Sequence, residues 1–315
     1  MNSIQALEYD ISLQLDFLKS FAKDQTRKKQ MSLTLQKNSI FSGSGDSLVS
    51  AILAESFSEG MVRAMDPLDL YKNKHLAKSK NVFFVSISGN TITNIKVAKI
   101  AKKATAITAH SQSRLAKASD DVILLSSPNG GVFTAGSISF LESALTCISL
   151  VRKISIPKNS DILFFAAKKD AKKGSSELTE SGSDAKRIYI LGNLRTFPLA
   201  MYCAAKFYEI LGSDVHYCRI EQFSHMELFS AKKGDTVIIF EQKNSHNTQL
   251  AKNLRKVGIN VIHPFIANSN TISEILYYIF FSQFLGLMSA QKRSKTECHF
   301  VTAKKIRDVS NKMIY

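Results

Sequence analysis

Cysteine is scarce in this chain. Its 315 residues hold four, Cys147, Cys203, Cys218 and Cys298, with no CxxC pair and no histidine at metal-ligand spacing. That excludes a disulfide framework and a thiolate metal site, and leaves the four as core thiols. Long apolar runs are missing too. The nearest, 275–288, still holds Ser282 and Gln283 and falls short of the roughly 18 residues a membrane span needs. It reads as a buried helix, so no membrane partner is expected. No basic segment followed by an apolar stretch opens the chain, which argues against a secretory leader and for a cytoplasmic protein. Aromatic-studded basic segments are absent as well. The formal net charge is +16, but it is dispersed as short pairs such as Lys102-Lys103 and Lys232-Lys233. That pattern fits a generally basic surface that favours anionic metabolites, and it argues against a nucleic-acid partner.

What is present suits a folded protein with real cores: 44% hydrophobic and 22% charged residues over a length fit for two domains of about 100–150 residues each. The stretch 168–186, KKDAKKGSSELTESGSDAK, is nearly free of large apolar side chains and reads as a solvated linker. The expected organisation is a first domain over 1–160 with an N-terminal helix, a linker over 161–186, and a second domain over 187–315 with a C-terminal tail. On each side, short β-branched runs alternate with longer amphipathic ones, which predicts an α/β fold of two parallel sheets flanked by helices. Strands are expected at 39–42, 82–86, 106–108 and 122–125, then at 187–191, 214–218, 236–240 and 260–262. Helices are expected at 4–21, 47–57, 91–102, 114–118, 136–151, 198–211, 247–257 and 273–288.

Two turns stand out. Gly43-Ser44-Gly45-Asp46-Ser47 puts two glycines and hydroxyls where a strand hands over to a helix. Backbone N–H groups and the positive end of the helix favour an anion there. Leu48 stands where a dinucleotide fingerprint needs its third glycine, and the Gly-Lys-Ser/Thr ending of a Walker loop is missing. The second turn, Ser86-Ile87-Ser88-Gly89-Asn90-Thr91, also follows a strand and opens a helix. Plain N-capping by Ser88 or Asn90 is the competing reading. Two such turns at neighbouring strand ends could grip one phosphate. Candidate phosphate- and sugar-binding residues are therefore Gly45, Asp46, Ser47, Ser86, Ser88, Asn90 and Thr91.

Further along, Lys206 and Glu209 are the only charged side chains of an apolar helical stretch, three residues apart and hence on one face. The spacing by itself fits an exposed ion pair. It also fits a carboxylate that removes a proton beside an ammonium that tempers negative charge.

The Ser-x-Ser-Gly-Asn-Thr turn, preceded by Gly-x-Gly-Asp-Ser, resembles the phosphate-binding loops of sugar isomerase (SIS) domains. The segment from Leu191 to Phe229 is similar to the isomerase domain of glucosamine-6-phosphate synthase, whose glutaminase domain has no counterpart here. In that family a Gly-rich turn, a Pro-started helix and a Lys-x-x-Glu pair are followed sixteen residues later by a histidine. Here Leu191-Gly192-Asn193 leads to Pro198, Lys206 and Glu209, with His225 sixteen residues beyond Glu209. The resemblance implies two SIS domains and an aldose-ketose isomerase of a hexose or aminohexose 6-phosphate, with deamination of glucosamine 6-phosphate as a variant, working without cofactor or metal. It makes Glu209 the base between the first two sugar carbons, His225 the ring-opening group and Lys206 an assistant to the base or the enediolate, with Lys312 in the place of a tail lysine near the open-chain sugar. It also implies a homodimer with the active site at or near the interface.

Departures from the family are equally visible. Gly131-Val132-Phe133-Thr134-Ala135-Gly136 stands where the family has Gly-Val-x-Ser-Thr-Lys, so Thr134 keeps a hydroxyl at a sugar-contacting position while Gly136 replaces the lysine. Phosphoglucose/phosphomannose isomerases share the Ser-Gly-Asn-Thr turn, but their catalytic arginine has no counterpart after Leu125. A non-catalytic sugar-phosphate-binding SIS protein is the remaining alternative.

Overall fold

The computed structural model describes residues 1–23, 39–180, 186–267 and 270–315. They form two compact units. One comprises Asp16–Asn129, Gly136–Ser155 and Lys304–Tyr315; the other comprises Met1–Leu15, Gly130–Ala135 and Ile156–Ala303.

The first unit is built on a five-stranded parallel sheet of order β2-β1-β3-β4-β5: β1 Ser39–Ser42, β2 Val62–Met65, β3 Asn81–Val85, β4 Lys103–Thr108 and β5 Asp121–Leu124. The central strands are apolar almost throughout because helices cover both faces, as parallel sheets require. Phe41 of β1 stacks on Phe83 of β3 with ring centroids 4.8 Å apart. Burying a Phe side chain of this kind contributes about 1.5–3 kcal/mol. The helices Asp46–Phe57 and Ile92–Ala98 leave the carboxyl ends of β1 and β3. These strands are neighbours whose connections run in opposite directions across the sheet, which makes the crevice between them the switch point where ligands bind.

The second unit carries a four-stranded parallel sheet of order β7-β6-β8-β9: β6 Ile188–Gly192, β7 Val215–Arg219, β8 Thr236–Phe240 and β9 Asn260–Ile262. Its switch point lies between β6 and β8. The helix Thr271–Lys292 is long and apolar enough to cross a membrane by composition alone, yet 83% of its most apolar window is buried inside the structure. It is a core helix. The rings of Phe280 and Phe284 pack edge-on against Phe164.

Phe164 belongs to a helix that corrects the linker reading. Ser160–Glu180 is one helix of 21 residues, with Leu163, Phe164, Ala167, Ala171 and Ser175 on its buried face. Its lysines form the solvated face, and small residues on the other side let it pack closely. Residues 181–185, the end of the expected linker, lie outside the described residues. Both chain ends also depart from the expected boundaries. The N-terminal helix Ser3–Ser12 joins the second-sheet unit, and the C-terminal helix Lys304–Ile314 joins the first-sheet unit. The first exchange has a clear cause. Ser3 Oγ accepts from the Cys298 N–H at 2.7 Å, the Ser3 N–H donates to Glu297 at 3.0 Å, and Asp10 accepts from the Gly130 N–H at 2.7 Å. The single expected helix over 4–21 is two, Ser3–Ser12 and Gln14–Lys23.

Candidate functional site

In the first-sheet unit the turn after β1 is shaped by a close approach at Gly43. A Cβ there would lie 2.7 Å from Ser47 Cβ and 2.8 Å from the Ser47 carbonyl carbon, so only glycine lets the helix start pack against the strand end. Gly45, at φ +58°, is the N-cap and offers no side chain of its own. The helix Asp46–Phe57 starts at the switch point, where the Ser47 N–H donates to the Ser44 carbonyl at 3.2 Å and the Leu48 N–H to the Gly45 carbonyl at 2.9 Å, and its positive end faces the crevice. In the second turn the Gly89 N–H donates to both the carbonyl and the hydroxyl of Ser86, and the Asn90 N–H donates to Ser88 Oγ. Thr91 is the N-cap of the following helix and makes no side-chain cap bond. The hydroxyl of Ser42 and both amide atoms of Asn94 are buried without a hydrogen-bond partner among the described residues. Each such orphan costs about 1–3 kcal/mol. Polar capacity is thus left unused at the end of β1 and in the helix that follows the second turn.

A cavity of about 180 Å³ opens here, lined by Asp46, Ser47, Ile87, Gly136, Ser139, Phe140 and Ser143. It is the size of a phosphate-bearing end, smaller than the roughly 300–1,000 Å³ that holds a whole drug-sized ligand. Asp46 and Ser47 were expected in such a site. Gly45, Ser86, Ser88, Asn90 and Thr91 belong to the two turns but do not line this cavity, to which the second turn contributes Ile87. Ser139 and Ser143 were not expected. They lie four apart near the start of the apolar helix Ile138–Val151, whose mostly buried side chains read in sequence as pure core. Thr134 is not among the lining residues, and its hydroxyl donates to the Ser3 carbonyl at 2.7 Å. That bond gives it a structural task at the chain's N-terminal helix.

The second-sheet unit repeats the turn design. A Cβ on Gly192 would meet the Thr196 carbonyl oxygen at 2.6 Å, four residues on, as Gly43 meets Ser47. The furnishing differs. Asn193 Nδ2 donates to Glu241 Oε1 at 2.8 Å, so a carboxylate from the end of β8 occupies the second switch point. Glu274 nearby is held above the ordinary carboxylate range by burial. The second switch point thus carries a carboxylate where the first is rich in hydroxyls.

Lys206 and Glu209 sit farther along the same element. The helix Phe197–Lys206 opens on Pro198 and passes into a π-turn, Phe207–Leu211, which ends at Gly212 in the left-handed region. Interruptions of this kind concentrate at functional positions. Lys206 Nζ donates to Glu209 Oε2 at 2.5 Å, with the lysine 0% and the glutamate 35% exposed. The exposed-pair reading therefore fails for Lys206. A buried ammonium grips one oxygen of a carboxylate that still reaches solvent. His225 ends the short helix Ile220–His225, is 69% exposed, and pairs with Glu221 at 3.1 Å. No described contact joins it to Lys206 or Glu209. Lys312 is exposed on the helix Lys304–Ile314 of the first-sheet unit. All four cysteines are buried, and burial pushes the thiols of Cys203 and Cys218 up to about 12, which removes them as nucleophiles.

Two parallel sheets flanked by helices, the first with a hydroxyl-rich turn at its switch point, are the fold of phosphosugar isomerases of the SIS type. Solved structures share it over nearly the whole chain. Glucosamine-6-phosphate deaminase from Thermotoga maritima superposes with a TM-score of 0.77 at 20% identity, covering 92% of this chain and 96% of the other. The C-terminal domain of glucosamine-fructose-6-phosphate aminotransferase from Francisella tularensis gives 0.70 at 14% identity, covering 91% and 95%. Tagatose-6-phosphate ketose/aldose isomerase from Escherichia coli gives 0.67 at 16% identity, covering 93% and 90%. At these identities the likeness establishes the fold. No protein-family model matches the sequence, and no curated protein matches it.

Proposed function

We propose that this chain binds a sugar phosphate and interconverts the aldose and ketose forms of a hexose or aminohexose 6-phosphate. The observation that carries the reading is the Lys206–Glu209 pair: a part-exposed carboxylate fixed by a fully buried ammonium, on a π-turn. The phosphate is assigned to the first-sheet turns, with Asp46, Ser47 and Ser139 at the cavity and Gly45, Ser86, Ser88, Asn90 and Thr91 around them. Hydroxyls and the positive end of the helix Asp46–Phe57 would hold it, with the Asp46 carboxylate as the acidic member of the cavity lining.

In this reading Glu209 takes the proton from C2 of the open-chain aldose, the C–H electron pair forms the C1–C2 double bond, and the oxygen on C1 takes up the charge of an enediolate. The C2 hydroxyl passes its proton to the oxygen on C1, and return of the carbon proton to C1 completes the ketose. A positioned base contributes about 10²- to 10⁴-fold. Lys206 steadies the carboxylate, and His225 and Lys312 are assigned ring opening and contact with the open-chain sugar. Deamination of glucosamine 6-phosphate is the variant of this chemistry suggested by the name of the Thermotoga relative in structure. The acting form is proposed to be a homodimer.

A second reading, phosphosugar binding without turnover, draws on His225, whose exposed ring is engaged with Glu221. A screen of hexose and aminohexose 6-phosphates, with and without ammonia, separates the two. Turnover supports the isomerase, whereas thermal stabilisation by a phosphosugar with no turnover of any supports the binder.

A further inference from the structure

A line of fully buried polar side chains runs through the second-sheet unit and ends at Lys206. Gln14 Nε2 donates to Gln283 Oε1 at 2.5 Å, and Gln283 Nε2 donates to the Tyr202 hydroxyl at 3.0 Å. The Tyr202 ring lies under the Lys206 ammonium, 4.8 Å from centroid to Nζ. Gln14, Gln283, Tyr202 and Lys206 are each 0% exposed. They come from three elements: Gln14 opens the helix Gln14–Lys23, Gln283 sits mid-way along Thr271–Lys292, and Tyr202 and Lys206 are four apart on one face of Phe197–Lys206. The core helix also presses on this helix at Gly286, where a Cβ would lie 2.8 Å from Ile210 Cδ1 and 3.4 Å from Lys206 Cβ.

Such a column is a poor way to fill a core. Leu or Met at these positions would pack without needing hydrogen-bond partners, and a buried charge needs several favourable contacts to offset lost hydration. Through the Lys206–Glu209 bond the column reaches a part-exposed carboxylate. Resting on the isomerase reading, we infer that Tyr202 and Gln283 are positioning residues for Glu209. The amides fix the tyrosine, the tyrosine ring fixes the ammonium, and the ammonium holds Oε2, so the orientation of the carboxylate is set from the core side.

The test uses the full-length protein. Tyr202→Phe keeps the ring but loses its anchor, and Gln283→Leu removes the anchor itself. Each is expected to lower kcat by about 10- to 100-fold, the cost of a misplaced catalytic group. KM and phosphosugar-induced thermal stabilisation should stay as in wild type. Because both act through one column, the double variant should be no slower than the worse single one. Unchanged kcat in either single variant, or effects that multiply in the double, overturns the inference. If wild type turns over none of the phosphosugars, the isomerase reading has failed, and the column is then read from thermal unfolding of Tyr202→Leu, Gln283→Leu and their double. Non-additive losses uphold it, and additive losses overturn it.

Discussion

Lys206 and Glu209 are joined by a 2.5 Å bond in which one partner is sealed from solvent and the other is open to it. The asymmetry predicts a distinct response to each of two substitutions. Glu209→Gln removes the base and should lower turnover by at least about 10²-fold, with phosphosugar-induced stabilisation retained. Lys206→Met leaves a carboxylate that water can still solvate and replaces a buried charge with apolar volume. It should therefore cost little stability, or raise it, while turnover falls. Melting curves and initial rates on the same samples check both. A large loss of stability in Lys206→Met would mean that the ammonium has further structural partners that matter more than Glu209.

Gly43 and Gly192 make the same close approach in two sheets and are predicted to differ in function. Alanine at either position meets backbone within 3 Å, so each variant should lose about 1–3 kcal/mol of stability. Gly43→Ala should also abolish stabilisation by a phosphosugar, and Gly192→Ala should preserve it. Urea titration and a thermal-shift series together read both effects. The reverse pattern would move the anion site to the second sheet.

The contrast between hydroxyls at the first switch point and Glu241 at the second sets a stoichiometry. Calorimetry with a non-reacting phosphosugar analogue should return one site per chain. Two equivalent sites would contradict the reading that Glu241 closes the second switch point to anions.

Acid should loosen the anchoring of the N-terminal helix. Glu297 is held below the ordinary carboxylate range by the Ser3 hydroxyl and N–H that donate to it. A carboxylate with a lowered folded-state value stabilises the fold above its unfolded value, and loses that contribution as pH falls through the folded one. Thermal melts of wild type and Glu297→Gln should therefore differ at neutral pH and converge towards pH 3. Curves that stay parallel at all pH values would remove this bond from the acid response.

Much of the fold was readable because burial on both faces leaves a plain signature. β1, β3, β6 and β8 are short apolar runs, each handing over to a turn, and the two turns at the first switch point are written in glycine and serine. β2, Val62-Arg63-Ala64-Met65, escaped because it is a half-exposed edge strand that alternates one charge into four residues. The helix Ser160–Glu180 escaped for a related reason. Its buried stripe beyond Phe164 is made of Ala167, Ala171 and Ser175, too small to register against a face of lysines. In the site, the spacing of Lys206 and Glu209 was visible, but their unequal burial depends on the helix Thr271–Lys292, far along the chain. Ser139 and Ser143 were hidden by their apolar neighbours. Thr134 matched a sugar-contacting position by motif, and its bond to Ser3, 131 residues away, is a tertiary fact that no local pattern carries.

The central claim, that Glu209 moves a proton on a phosphosugar, is tested most directly by solvent isotope exchange. Wild type incubated in deuterium oxide with glucose 6-phosphate, fructose 6-phosphate or glucosamine 6-phosphate should place deuterium at the carbon next to the carbonyl of at least one of them. Glu209→Gln should place none. Exchange by Glu209→Gln at the wild-type rate, or no exchange by wild type into any of the three, would contradict the account.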